Sequence, residues 1–152
     1  MNDLWQTIRK IVSLFEVESL SPGENEKLIV SYLDHIAWLI HGVKPSDEYD
    51  GGEIPEFDYQ NIRKFVEARF PNWGYYNCAK EVTKNIGETS ITVGDAIDDI
   101  ADIVSDLKAV LWCLDNENEN NALWQLKDSY EGHWREHMLN LKHYAHCLEN
   151  EV

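Results

Sequence analysis

Apolar residues recur at intervals of three and four through the last third of the chain, a helical period that no strand shares. Ile97, Ile100, Val104, Leu107, Leu111 and Leu114 mark one long helix. Beyond a polar stretch from Asp115 to Asn121, the residues Leu123, Leu126, Tyr130, Trp134, His137, Leu141, Tyr144 and Leu148 trace a single stripe. That stripe implies a second helix of roughly 25 to 30 residues. So short a connection makes the two helices neighbours, packed side by side as an antiparallel hairpin.

The same period appears upstream. Leu4, Ile8, Ile11 and Phe15, with Trp5 and Val12 beside them, mark a first helix. Ser21-Pro22-Gly23 interrupts it, and Leu28, Tyr32, Leu33, Ile36, Leu39 and Ile40 resume the pattern to about His41. Asp58 is placed to cap a short third helix carrying Ile62, Val66 and Phe70, which Pro71 ends. Residues 42 to 56 hold three glycines, two prolines and the acids Asp47, Glu48, Asp50, Glu53 and Glu56, the composition of a solvated loop. Residues 71 to 93 are the least regular, and an aromatic loop pinned by ring burial, with a short helix near Ala79 to Lys84 and no strand, is expected there. The expected fold is therefore all-α: a single domain over residues 1–152, an up-and-down bundle of about five main helices with a long C-terminal hairpin and an aromatic-rich loop.

Charge narrows the function classes. With 28 acidic against 13 basic residues the formal charge is −15, which repels phosphate backbones and anionic lipid, so neither nucleic acid nor a membrane surface is an expected partner. The apolar runs are a few residues long, against roughly 20 needed to span a bilayer. Asp3 precedes any basic residue, unlike a secretory leader. Cys78, Cys113 and Cys147 are odd in number and far apart, which argues against a disulfide framework or a cysteine metal motif and for a reducing, cytoplasmic setting.

Asp95, Asp98, Asp99, Asp102 and Asp106 fall on one side of the long helix, opposite the Ile97/Ile100/Val104/Leu107 stripe. An ordinary solvated face explains them. Yet like charges four residues apart repel, and Asp102 and Asp106 lie beyond the helpful end of the helix dipole. Something cationic should answer them, either a metal ion or basic side chains such as Arg63, Lys64, Arg69, Lys80 and Lys84. His133 and His137, four apart on the last helix, can offer two imidazole nitrogens to one zinc or similar ion, with Asp98 and Asp102 as facing carboxylates and His35 as a third nitrogen. The competing reading is buried histidines hydrogen-bonded to Asp or Tyr. Asp98-Asp99-Ile100-Ala101-Asp102 matches the magnesium motif of isoprenoid synthases, but the chain lacks both the length and the second motif those enzymes need. Of six tryptophans, Trp5, Trp38, Trp124 and Trp134 fall on or beside helical stripes and read as core. Trp73, Tyr75 and Tyr76 lie outside any stripe and serve either as a groove wall or, the reading favoured here, as a lock of loop onto bundle.

Three segments together resemble the bacterial family known as domain of unknown function 5063. They are Phe70-Pro71-Asn72-Trp73-Gly74-Tyr75-Tyr76-Asn77, then Val93-Gly94-Asp95-Ala96-Ile97-Asp98-Asp99-Ile100-Ala101-Asp102-Ile103, then Glu131-x-His133-Trp134-x-x-His137. The resemblance covers residues 57 to 145 and implies a helical bacterial cytoplasmic protein, with the Asp98/Asp102 and His133/His137 groups belonging to one pattern; it brings no activity, substrate or cofactor.

No serine or cysteine elbow, glycine-rich phosphate loop or paired acidic motif of the helical pyrophosphatases is present. The leading expectation is a non-enzymatic interaction module that meets a basic-surfaced protein through Asp95, Asp99 and Asp106 with Trp73, Tyr75 and Tyr76. The alternative is a divalent-metal bundle, extending to a metal-dependent hydrolase, in which Asp98, Asp102, His133 and His137 ligate zinc or a similar ion.

Overall fold

A computed structural model describes residues 1–16 and 21–151. The elements run α1 (Asn2–Ser13), α2 (Pro22–Ile40), α3 (Tyr59–Arg69), β1 (Tyr75–Ala79), β2 (Ile91–Asp95), α4 (Ala96–Asn116), α5 (Glu119–Ser129), a π-helical turn (Tyr130–Trp134) and α6 (Arg135–Asn150). Local chemistry sets where helices begin. Ser21 and Glu24 cap α2 reciprocally, with Pro22 at its first position. The side chains of Asp58, Asp95 and Asn118 accept the N–H groups of Asn61, Ile97 and Asn121 at the starts of α3, α4 and α5.

The central helix is α4, which packs against α1, α3, α5 and α6. Its Ile100, Ala101, Leu107, Val110 and Cys113 are fully buried, together with Ile8 and Ile11 of α1, Leu33 and Ile36 of α2, Val66 of α3, Leu126 of α5 and Leu141 of α6. Each large aliphatic side chain so buried stabilises the fold by about 1.5–3 kcal/mol. Trp5 Nε1 donates to Glu119 at 2.9 Å, and Arg9 pairs with Asp115 at 2.6 Å, which fixes α1 against the junction of α4 and α5.

The chain is mostly helical rather than all-α, because β1 and β2 pair antiparallel, Tyr75 opposite Asp95 through Ala79 opposite Ile91. The short helix expected near Ala79 to Lys84 is replaced by the strand end and an irregular turn, where Asn85 (φ 49°) and Gly87 (φ 78°) take left-handed conformations. Both strands are short and largely exposed, so they lack the inward apolar alternation that betrays a half-buried strand. Trp38, expected in the core, is 72% exposed.

The acidic loop over residues 42–58 is less solvated than its composition suggests. Val43 is buried, while Tyr49, Ile54 and Phe57 pack against the core. Glu117 accepts the Gly52 N–H (2.7 Å), the Tyr49 hydroxyl (3.3 Å) and the Asn121 amide (3.0 Å), and Asn120 Oδ1 accepts the N–H groups of Ser46 and Asp47. A Cβ on Gly51 would lie 2.2 Å from the Glu117 carboxylate, so a side chain there would push that carboxylate aside. Burial of this knot holds the Tyr49 hydroxyl up at about 12 and the Cys113 thiol at about 11. Among the described residues, no helix is long and apolar enough to cross a membrane.

Candidate metal centre

As the chain descends α4 from Asp106 to Asp99, its partners ascend from His133 to His137, the signature of antiparallel neighbours. His133 Nδ1 meets Asp106 Oδ2 at 2.6 Å, and His137 Nδ1 meets Asp99 Oδ1 at 2.6 Å. Each imidazole thus gives its Nδ1–H to a carboxylate, which leaves Nε2 as the free lone pair of the neutral ring. On His137 that nitrogen lies 3.4 Å from Asp102 Oδ2. The two rings stand edge to face, centroids 4.9 Å apart. One ligand atom from each of Asp102, His133 and His137 lies within 4.8 Å of the others. Neighbouring ligands around tetrahedral zinc sit about 3.3 Å apart, given bonds of about 2.0–2.1 Å, so side-chain rotation of the order of 1 Å closes the set.

The π-helical turn places His133. Arg135 donates its N–H to Tyr130, five residues back, across a turn containing Gly132. Tyr130 and Trp134 bury their rings edge to face in the core, and Trp134 Nε1 donates to Ser129. Such turns interrupt α-helices frequently at functional sites.

A further layer holds the acids. Tyr76 at the ribbon's base donates its hydroxyl to Asp99 Oδ2 at 2.5 Å, so Asp99, 5% exposed, is held by a tyrosine on one oxygen and an imidazole on the other. Gly94, opposite Tyr76 across the ribbon, permits this: a Cβ there would lie 2.2 Å from the tyrosine ring. Tyr59 donates to Asp98, and Arg63 pairs with Asp95 at 2.7 Å and Asp98 at 3.6 Å. The Asp99 hydrogen bond raises the His137 pKa above its ordinary value, with burial opposing. Burial also raises Asp102, with Asp98 adding to it, and Asp106, against the pull of His133. Burial and carboxylate partners hold the Tyr59 and Tyr76 hydroxyls protonated.

Of the residues singled out in the sequence, Asp102, His133 and His137 come together. Asp98 does not join them; it is turned toward α3, and Asp99 takes the place beside the imidazole. His35 pairs with Asp3 on α1 and lies apart from the cluster. Asp99 and Trp73 are buried and offer no open contact surface; Trp73 packs on Phe70 and Tyr144, which fits a lock. Tyr76, half-buried, packs on Tyr144, while Tyr75 is 73% exposed. Asp95 is half-buried against Arg63, and Asp106 against His133. The roles of Asp99, Tyr59, Gly94 and Glu117 were invisible in one-dimensional spacing, because each depends on a partner from a distant segment.

These features define a predominantly helical bundle with a small ribbon and a mixed carboxylate and imidazole cluster across its last helices. The chain belongs to the family described as Domain of unknown function (DUF5063), whose model matches residues 27–149 and so takes in most of α2 as well. Its fold is similar to the crystal structure of protein BF1032 from Bacteroides fragilis, with a TM-score of 0.74 and 17% identity over 99% of this chain and 92% of that one. At that identity the likeness is one of fold. No curated protein matches the chain.

Proposed function

We propose that the protein binds a divalent transition-metal ion, zinc or one similar, through Asp102, His133 and His137. The observation that carries this is the orientation of the two histidines: both give Nδ1 to a carboxylate of α4, with Asp102 beside them. Two imidazoles and one carboxylate are a donor set suited to zinc and neighbouring first-row ions, and three protein ligands leave a coordination position for water or an exogenous ligand. The His133 side chain is 48% exposed, so solvent reaches the edge of the cluster. Asp99 and Asp106 act as outer-shell carboxylates that fix the rings. Asp98, Asp99, Asp102 and Asp106 outnumber the two imidazoles, and Arg63 is shared with Asp95 and Glu67, so the cluster favours an added positive charge.

A docking face for a basic protein on α4 has less support, because these acids are engaged inside the molecule. The test is elemental analysis of protein purified without chelator or nickel resin, followed by titration of stripped protein with zinc. One equivalent of metal per chain, with a raised Tm, is expected. Sub-stoichiometric metal, together with a Tm unmoved by zinc, would overturn the proposal.

A further inference from the structure

The ribbon formed by β1 and β2 is a different kind of surface: Tyr76, Gly94 and Asp95 at its base belong to the layer behind the metal site, and the rest of it has no part in that site. Tyr75, Ile91 and Val93 on the strands, and Val82 and Ile86 on the connecting turn, are between 63% and 80% exposed. Proteins normally protect open strand edges with lysine, proline or a covering element. Here Tyr75–Ala79 contains no charged residue or proline, and β2 carries one charge, Asp95 at its last position, which Arg63 pairs at 2.7 Å.

The ladder shows which backbone groups are free. Lys80 N–H donates to Ser90 at 2.9 Å and Ala96 N–H to Gly74 at 3.0 Å, at the two ends of the ribbon. Hydrogen-bonded positions alternate along an antiparallel pair, so Ser90, Thr92 and Gly94 face β1. The N–H and C=O groups of Ile91 and Val93 therefore lie on the outer edge of β2.

Charge selects the occupant. Between Tyr75 and Gly94 the charged residues are Lys80, Lys84, Glu81 and Glu88, which cancel. The rest of the chain carries the whole −15. Two copies repel wherever their acidic surfaces meet, and the neutral ribbon, with both signs at its turn, is where they can approach.

We propose that the β2 edge is a self-association site, at which a second copy of this chain pairs antiparallel across a two-fold axis. The free edge groups allow Ile91 to face Val93 of the second copy around a central pair of Thr92 residues, joining two ribbons into a four-stranded sheet. Such a contact is isologous and closes on itself. Two short paired edge strands make a small contact, so a reversible dimer is expected.

Sedimentation velocity over about 1 to 200 µM, a range suited to a small reversible interface, tests this. A concentration-dependent dimer is expected, and it should strengthen with salt as the −15 charges are screened. Val93→Lys should weaken it at least tenfold while helical circular dichroism is unchanged. Hydrogen exchange offers a second measurement: the Ile91 and Val93 amides should slow with rising concentration, while that of Thr92, already paired, stays the same. A chain that stays monomeric throughout, a dimer indifferent to Val93→Lys, or one that leaves both amides unprotected would each overturn the proposal.

Discussion

Two polar constructions depend on α4, and they differ in the balance of donors and acceptors. At its C-terminal end a single carboxylate, Glu117, is ringed by the Gly52 N–H, the Tyr49 hydroxyl and the Asn121 amide. Around its N-terminal half, Asp95, Asp98, Asp99, Asp102 and Asp106 share one guanidinium, two tyrosine hydroxyls and two imidazoles. The first cluster is saturated and locks a loop. The second has acceptors in excess, and two ring nitrogens besides, which is the condition for recruiting a cation. The sharpest way to break this contrast is to remove a ligand from the open cluster. His133→Ala should weaken zinc binding by more than about 100-fold, beyond the 10–100-fold that loss of an outer partner costs. Because His133 is exposed, the fold should survive, as circular dichroism would show. His137→Ala is a poorer probe, since it also strips a partner from buried Asp99.

The saturated cluster should respond in the opposite way. Glu117→Ala removes the acceptor that gathers the 49–52 segment and should cost about 2–3 kcal/mol, the scale of hydrogen bonds to a charged group. Denaturant unfolding would measure it, and zinc affinity should be unchanged. If Glu117→Ala also weakened metal binding, the two constructions would be one coupled unit.

Tyr76→Phe sits between these cases, because it leaves all three ligands in place and deletes only the hydroxyl that holds Asp99. A loss of less than about tenfold in zinc affinity is expected, below the range for a group bonded directly to a ligand. Gly94→Ala should mimic it by displacing the Tyr76 ring.

The helices were legible in the sequence for a plain reason: a 3.6-residue period reports burial on one face, and α4 and α6 bury long stripes. The ribbon was not, because its strands bury too little to alternate. The histidine pair could be named from spacing alone, and Asp102 with it. Spacing does not tell that Asp98 turns to Tyr59 and Asp99 to His137, because helical phase fixes direction only to within one residue's turn and Tyr59 and Tyr76 come from segments whose positions no local pattern reports. The polar stretch from Asp115 to Asn121 shows in sequence only as a break between two helices, whereas its Glu117, Asn120 and Asn121 side chains organise the preceding acidic loop.

Acidity should separate the metal-free and metal-bound states by sign. The pKa of His137 is raised in the fold, through Asp99 and with Asp98 and Asp102 adding to it, above an unfolded value of 6.5. Its contribution to stability is therefore complete below pH 6.5 and disappears as pH climbs through the folded value. Asp102 and Asp106, also raised, act in the same sense on the acid side, above 3.8. Metal-free protein should show a lower Tm at pH 8 than at pH 6. Zinc affinity should move the other way, weakening on acidification, because the ion must displace a proton from His137. Thermal scans with and without zinc at the two pH values would check both.

The smallest effect expected is also the most discriminating. Asp98→Asn keeps the shape of the side chain and removes one negative charge from a residue aligned with Tyr59 and Arg63. If the cation is held by Asp102, His133 and His137, this substitution should lower zinc affinity by no more than about threefold, the scale of a screened neighbouring charge. Asp102→Asn, four residues along the same helix, changes charge identically but removes a ligand, and should cost at least tenfold more. Comparable losses from the two variants would mean that only the summed negative charge of α4 matters and that the geometry of the imidazoles is incidental. A clear difference would place the ion on the side of the helix that faces His137.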